Sequence, residues 1–283
     1  MTLQFEVFDD EVAYAEAITA WLEKREAENS LFLGILEALK KDRPPSNPFM
    51  MRASKEGETA FAAMYREINL LLTRGPDAAV DGVAARLGSL GVVLPGAIGP
   101  ARETERFATA WAKHRGQIPF SVVEQRIYEL DDIHWPAPVP GRMRQIRPED
   151  LELVALWAQN FDVEALLRHE RRTLGETRNK VFKRIREGDL FGWEHQGQLV
   201  SMAGLARPTS KTISVNSVYT PPERRRRGFA TALVAAVSEE GFRRGKATCV
   251  LYTDVSNPTS NSIYQKIGYR HVGDSRNYHF QEG

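Results

Sequence analysis

The chain has 283 residues, 42% of them hydrophobic and 27% charged, the composition of a folded protein long enough for two domains. Its 38 basic and 37 acidic residues leave a formal net charge of +1, so no overall field draws it to nucleic acid or an anionic membrane. The one cysteine, Cys249, excludes an intramolecular disulfide and fits a reducing compartment. Its apolar neighbours, Thr248 to Tyr252, mark it as a core thiol rather than a nucleophile.

No apolar run is long enough to span a bilayer. Residues 1–7 carry no basic segment followed by an apolar one, so a cytoplasmic protein is expected. The pattern predicts a strand over 3–8 and helices between 11 and 40, interrupted near Asn29 and Ser30. Residues 49–52 read as a strand; 58–72 read as strand, with helix as the alternative. A helix over 76–87, a short strand over 92–94, a helix over 102–114 and a strand over 121–130 follow.

Residues 134–141, His-Trp-Pro-Ala-Pro-Val-Pro-Gly, hold three prolines and a glycine and cannot continue a helix or a central strand. They divide the chain into expected domains 1–133 and 142–283. A strand over 143–147 comes next. Pro148 opens a helix to about Asn160, and Asp162 is expected to cap a second helix to about Arg186, broken near Gly175. Residues 190–194 and 198–205 form a hairpin about His195–Gly197. A strand over 212–220, a helix over 229–243, a strand over 247–253, a helix over 259–267 ended by Gly268 and a final strand complete the order. Both halves run strand, helices, strands, helix, strand, helix, strand, which suggests a structural duplication.

The most informative segment is Val218 to Leu233. A strand stops at Pro221-Pro222, a basic loop containing Gly228 follows, and a helix of small and apolar residues begins. Backbone N–H groups at such a helix N-terminus attract an anion. Arg225-Arg226-Arg227-Gly228-Phe229-Ala230 resembles the Gln/Arg-x-x-Gly-x-Gly/Ala phosphate loop of the Gcn5-related N-acetyltransferase (GNAT) superfamily. Asn257, then Tyr264 seven residues on, then Gly268-Tyr269, resembles its later motif. The resemblance covers about 140–283; residues 1–133 resemble only a degenerate second copy.

The resemblance implies an α/β fold with a mixed sheet in two tandem acyl-CoA N-acyltransferase domains. It implies an enzyme that moves an acetyl or short acyl group from acetyl-CoA to an amine by direct attack; the histidines show no metal-ligand spacing, so no metal is expected. Val218, Tyr219 and Thr220 would line the pantetheine arm. Amides from Arg226 to Thr231, including Gly228, Phe229 and Ala230, would cradle the pyrophosphate, and Arg225, Arg226 and Arg227 would add contacts to phosphate. Asn257 would touch the cofactor while capping its helix. Tyr264 would protonate the leaving thiolate.

The base stays open among Glu194, Glu170, Asp254 and water. Asn216 either faces the acceptor or is an ordinary strand residue. His169-Glu170 is followed by Thr173, so no zinc-protease motif exists. The N-terminal half lacks the loop: Thr73 to Val80 carries Asp77 where an anion cradle is needed. That half is expected to shape the acceptor pocket or stabilise the fold. The acceptor is expected to be a small-molecule amine, with no nucleic-acid or membrane partner, and the chain a monomer or homodimer. A non-catalytic coenzyme A-binding or interaction module is the alternative.

Overall fold

The computed structural model describes residues 2–41, 49–65, 69–165 and 171–283. In chain order the elements are β1 (Gln4–Phe8), α1 (Glu11–Leu22), α2 (Ser30–Lys41), β2 (Phe49–Lys55), β3 (Glu58–Tyr65), β4 (Leu70–Leu72), α3 (Asp77–Ser89), β5 (Gly96–Pro100), α4 (Ala101–Arg115) and β6 (Gln117–Leu130). Then come β7 (Arg142–Gln145), α5 (Leu151–Ala165), α6 (Leu174–Arg186), β8 (Leu190–His195), β9 (Gln198–Ala206), β10 (Thr212–Tyr219), α7 (Phe229–Arg243), β11 (Thr248–Asp254), α8 (Pro258–Ile267) and β12 (Arg270–Glu282).

These elements pack as two compact units. One comprises residues 1–127, 252–257 and 271–283; the other comprises 128–251 and 258–270. The chain's last strand thus completes the core of the first unit.

In the first unit the strand order is β1-β2-β3-β4-β5-β12. All neighbours are antiparallel except β4 and β5, which run parallel through Leu70–Ala97 and Leu71–Ile98. Both faces of this sheet are buried. Met50, Ala62 and Met64 pack with Tyr14, Ile18, Leu22 and Leu36 of α1 and α2. Their alternates, Met51, Phe61 and Ala63, pack with Val83, Leu87, Phe107 and Trp111 of α3 and α4. Burial on both faces erases the polar alternation of an ordinary strand, which is why residues 58–72 read ambiguously. They form β3 and β4, and the intervening 66–68 lie outside the described residues. Truncating a side chain as enclosed as Trp111 costs about 3–5 kcal/mol.

The second unit repeats the scheme with the order β11-β10-β9-β8-β7. Its parallel pair is β10 with β11, and β7 to β10 are antiparallel. Leu190, Leu199 and Met202 pack with Val154, Trp157, Val181 and Ile185 of α5 and α6. Phe191, Ala203, Leu205, Ile213 and Val215 pack with Leu233, Val234 and Val237 of α7. In the hairpin between β8 and β9, Gln196 and Gly197 both take positive φ, the primed-turn geometry that follows strand twist.

Two expected boundaries move. The short strand is at 96–100, and residues 92–94 are irregular. Leu94 is buried there, with its N–H and C=O both held by the Gln117 side chain. The strand itself is glycine-rich because Gly99 has no room for a Cβ, which would stand 2.6 Å from the Leu72 carbonyl oxygen. Asp162 caps nothing. It is buried inside α5, which runs on to Ala165, and it pairs with Arg172 at 3.0 Å. Thr173 caps α6 instead: its Oγ1 accepts from the Glu176 N–H, and the Glu176 carboxylate accepts from the Thr173 N–H.

Candidate functional site

The second unit places an open helix N-terminus directly after a bulged strand. The parallel register of β10 with β11 covers Thr212–Thr248, Ile213–Cys249 and Ser214–Val250, and Val215 to Tyr219 lie beyond it. On the other edge the pairing with β9 is interrupted by a bulge between Asn216 and Tyr219, with Ser217 at φ 52°. A bulge bends the strand and turns its edge away from regular pairing. Ser201 Oγ donates to the Tyr219 carbonyl at 3.1 Å and bonds Thr220 Oγ1 at 2.8 Å, fixing the end of β10.

Pro221 and a single 3-10 turn at Pro222–Arg224 lead into the loop. Arg226 and Gly228 both take positive φ, 61° and 79°. Gly228 is the N-cap of α7, no side chain caps it, and the first turn carries no acidic residue. The first intrahelical bond is Ala232 N–H to the Gly228 carbonyl at 3.0 Å. Among the described residues, the amides of Arg226, Arg227, Gly228, Phe229, Ala230 and Thr231 donate to no other protein group. Six adjacent free donors at a helix N-terminus form a concavity for an anion. Gly228 is required twice over: its φ suits glycine, and a Cβ would stand 2.8 Å from Val139 Cγ1 of the proline-rich segment.

The three arginines of the loop divide in role. Arg225 Nε donates to the Thr220 carbonyl at 2.8 Å, its Nη2 meets both Glu164 oxygens at 2.8 Å, and its guanidinium lies 5.7 Å from the Tyr219 ring centroid. It braces the loop against α5 and β10. Arg226 and Arg227 are exposed and form no ion pair among the described residues. Nothing in the sequence marks Glu164 as the partner that separates Arg225 from them.

Val218, Phe229 and Tyr264 meet in one hydrophobic cluster, with Val218 only partly buried. Tyr264 sits on α8 between the rings of Tyr128 and Tyr269, with centroids 6.4 and 5.9 Å away. Burial pushes the Tyr264 phenol up to about 12, opposed by a hydrogen bond with Ser260 one turn earlier. The group therefore stays protonated at any physiological pH. Tyr128 is pinned in turn: its hydroxyl donates to Asn261 Oδ1 at 3.1 Å and accepts from Gln265 Nε2 at 3.4 Å. Asn257 directly precedes α8, is exposed, and packs with the 252–257 segment of the first unit, where its N–H donates to the Asp254 carbonyl.

The base candidates separate clearly. Glu194 is bound by Arg144 Nε at 2.6 Å and by Arg142 at 3.6 Å, and the Arg144 hydrogen bond holds its carboxyl below the usual range. That makes it a weak proton acceptor. Asp254 Oδ1 accepts the Ser256 N–H at 2.6 Å and so closes a turn. Glu170 and His169 lie outside the described residues. Asn216 Oδ1 accepts from Arg184 Nη2 at 3.0 Å, a partner that no sequence motif announces.

In the first unit the residues after β4 make no such cradle. Asp77 stands in the first turn of α3, bonded to Arg102 at 2.5 Å and Arg106 at 2.8 Å. The Gly75 N–H donates to Glu103 Oε1 at 3.4 Å.

Residues 152–269 match the family model described as Acetyltransferase (GNAT) family. No curated protein matches the chain. Among solved structures, the chain is similar to a GNAT-family acetyltransferase from Colwellia psychrerythraea, at 11% identity and TM-score 0.60, covering 98% of this chain and all of that one. A GCN5-related N-acetyltransferase from Sphaerobacter thermophilus aligns at 16% identity and TM-score 0.62 over 98% and 95%. A tandem GNAT protein from the clavulanic acid biosynthesis pathway aligns at 13% identity and TM-score 0.57 over 99% and 98%. Identities this low establish the shared fold across the chain, and the family match places residues 152–269 in the GNAT acetyltransferase family.

Proposed function

We propose that the chain is an N-acetyltransferase that takes an acetyl, or another short acyl, group from acetyl-CoA to a primary amine. The observation that carries this reading is the row of six unaccepted amides from Arg226 to Thr231, at the end of a helix with no acid in its first turn. A pyrophosphate matches those donors in charge and in number of acceptor oxygens. Arg226 and Arg227 would add contacts, and Arg225 would hold the loop in shape. The pantetheine arm would lie along Val218, Tyr219 and Thr220 as an added strand.

In the reaction the neutral amine nitrogen attacks the thioester carbon and the carbon–sulfur bond breaks. Tyr264 would give its proton to the departing thiolate, and the proton lost by the nitrogen would leave to water. A phenol whose pKa burial has raised remains a proton donor throughout the working range, which supports that role. With Glu194 ion-paired and Asp254 in a turn, water is the proton acceptor this reading favours. The first unit, with Asp77 in the first turn of α3 and the Gly75 N–H already given to Glu103, would bind no coenzyme A. The acceptor would be a small amine, and the reading invokes no nucleic acid, membrane or metal.

A non-catalytic coenzyme A-binding module is the second reading, supported by the engagement of Glu194 and Asp254. Thiol release from acetyl-CoA in the presence of an amine panel separates the two. Amine-dependent release is expected. Thermal stabilisation by acetyl-CoA without turnover on any amine supports the binding module, and no stabilisation by any acyl-CoA would overturn both.

A further inference from the structure

The phosphate loop follows Thr220, so a pantetheine arm laid along β10 runs from the loop back toward Val215. Its reacting end therefore lies near Asn216 and Ser217. Those two residues are held by Arg184 of α6. Arg184 Nη1 donates to Ser217 Oγ at 3.0 Å, and Nη2 donates to Asn216 Oδ1 and the Leu205 carbonyl, each at 3.0 Å. The guanidinium lies against Gly204, where no side chain intervenes. All its hydrogen-bond partners are neutral, and no carboxylate pairs with it among the described residues.

The surroundings are cationic. Thr177, Lys180 and Arg184 stand three and four residues apart, on one stripe of α6. Lys180 is exposed and makes no hydrogen bond or ion pair with a described residue. Partial desolvation, then the fields of Arg172 and Arg184, lower its proton affinity, with Asp162 opposing and Arg207 adding to the effect. The acids nearby are already engaged: Asp162 with Arg172, Asp189 with Arg244, Glu187 with Lys183. Two buried hydroxyls, one on this stripe and one on β10, have no hydrogen-bond partner among the described residues. One is Thr177 Oγ1 on α6; the other is Ser214 Oγ on β10, two residues from Asn216 and on the same strand face.

We propose that Lys180 and Arg184 form an anion subsite for the acceptor, so that the acceptor is an amine that also carries a carboxylate or a phosphate. This rests on the acyl-transfer reading above and names its substrate class. A polyamine would meet like charge at the reacting end. An amino acid-like or phosphorylated amine would find two cations that no carboxylate pairs among the described residues, with hydroxyls to complete its hydrogen bonds.

The test uses the full chain saturated with coenzyme A, which blocks the phosphate loop. N-acetylglycine and inorganic phosphate are titrated separately by calorimetry, so that the two arms distinguish carboxylate from phosphate. At least one is expected to bind, with affinity about tenfold weaker in Lys180→Met. Lys180 is exposed, so that substitution leaves the core intact. Binding of neither probe, or equal binding by the variant, overturns the subsite. A kinetic arm compares an amino acid with its amide. The variant is expected to raise KM about tenfold for the acid alone, with kcat and the acetyl-CoA KM within about twofold. Acetylation of a diamine with no preference for acids overturns the subsite and leaves acyl transfer standing. Lys180-dependent probe binding without turnover on any amine does the reverse.

Discussion

Two strand–turn–helix segments of this chain have the same backbone plan and opposite chemistry. After β4, the N-terminus of α3 receives carboxylates from the chain itself: Asp77 in the first turn, and Glu103 on the Gly75 N–H. The turn is also tight. A Cβ on Gly75 would stand 2.6 Å from the Phe61 ring, and a Cβ on Gly99 of the parallel partner would stand 2.6 Å from the Leu72 carbonyl oxygen. After β10, the N-terminus of α7 has no acid in its first turn and, among the described residues, six free amides and two unpaired arginines. A helix dipole therefore makes an anion site only where the fold withholds its own acceptors. In the first unit that helix end carries the chain's own carboxylate; in the second it carries none.

The sharpest way to break that contrast is at the chemistry of the second unit. Tyr264→Phe is expected to lower kcat about a hundredfold while changing acetyl-CoA affinity less than about twofold, as read by steady-state kinetics and calorimetry. Unchanged turnover across pH would remove the acid role. The next largest effect transplants the first unit's acid into the second. Ala230→Asp puts a carboxylate in the first turn of α7, as Asp77 does in α3. It is expected to weaken coenzyme A binding about ten- to a hundredfold, with helix stability unchanged or raised by about 0.5 kcal/mol. Intact binding in a folded variant would mean that the cradle is not the pyrophosphate site. Replacing Arg226 and Arg227 together by alanine is expected to raise the acetyl-CoA KM about fivefold and to flatten its salt dependence.

The smallest effect is on stability at high pH. The Tyr264 pKa rises from 10.0 to about 12 on folding, so the folded state holds this proton more tightly than the unfolded chain does. Its contribution is complete below pH 10.0 and is lost as pH climbs toward about 12. Tyr14 and Tyr269 shift in the same direction through burial. Denaturant midpoints are expected to fall over that window, with tyrosinate absorbance appearing together with unfolding. Titration of all tyrosines well before unfolding would contradict the enclosure of Tyr264.

Much of the second unit was legible in the residues. The hairpin at His195–Gly197, the strand ending at Pro221-Pro222 and the glycine that opens α7 are local features, set by turn chemistry and backbone sterics. The first unit was harder to read, because strands buried on both faces lose their alternation and because β5, Gly96 to Pro100, holds Ile98 as its one strand-forming residue. At the site, motif and spacing pointed to Gly228, Tyr264 and the loop amides. The separate duties of Arg225, held by Glu164, and of Arg184, held by Asn216 and Ser217, join partners tens of residues apart that no short motif encodes.

By itself, then, the sequence determined the order of elements, the family resemblance and the place of the glycine loop that opens α7. Those depend on φ preferences, periodicity and spacing within about twenty residues. Only the tertiary structure decided which donors remain free, which arginines and carboxylates are already paired, and that the chain's last strand completes the first unit. Pairing and burial are set by which distant segments pack together, and it is pairing and burial that turn a charged residue into a strut or leave it open to a ligand.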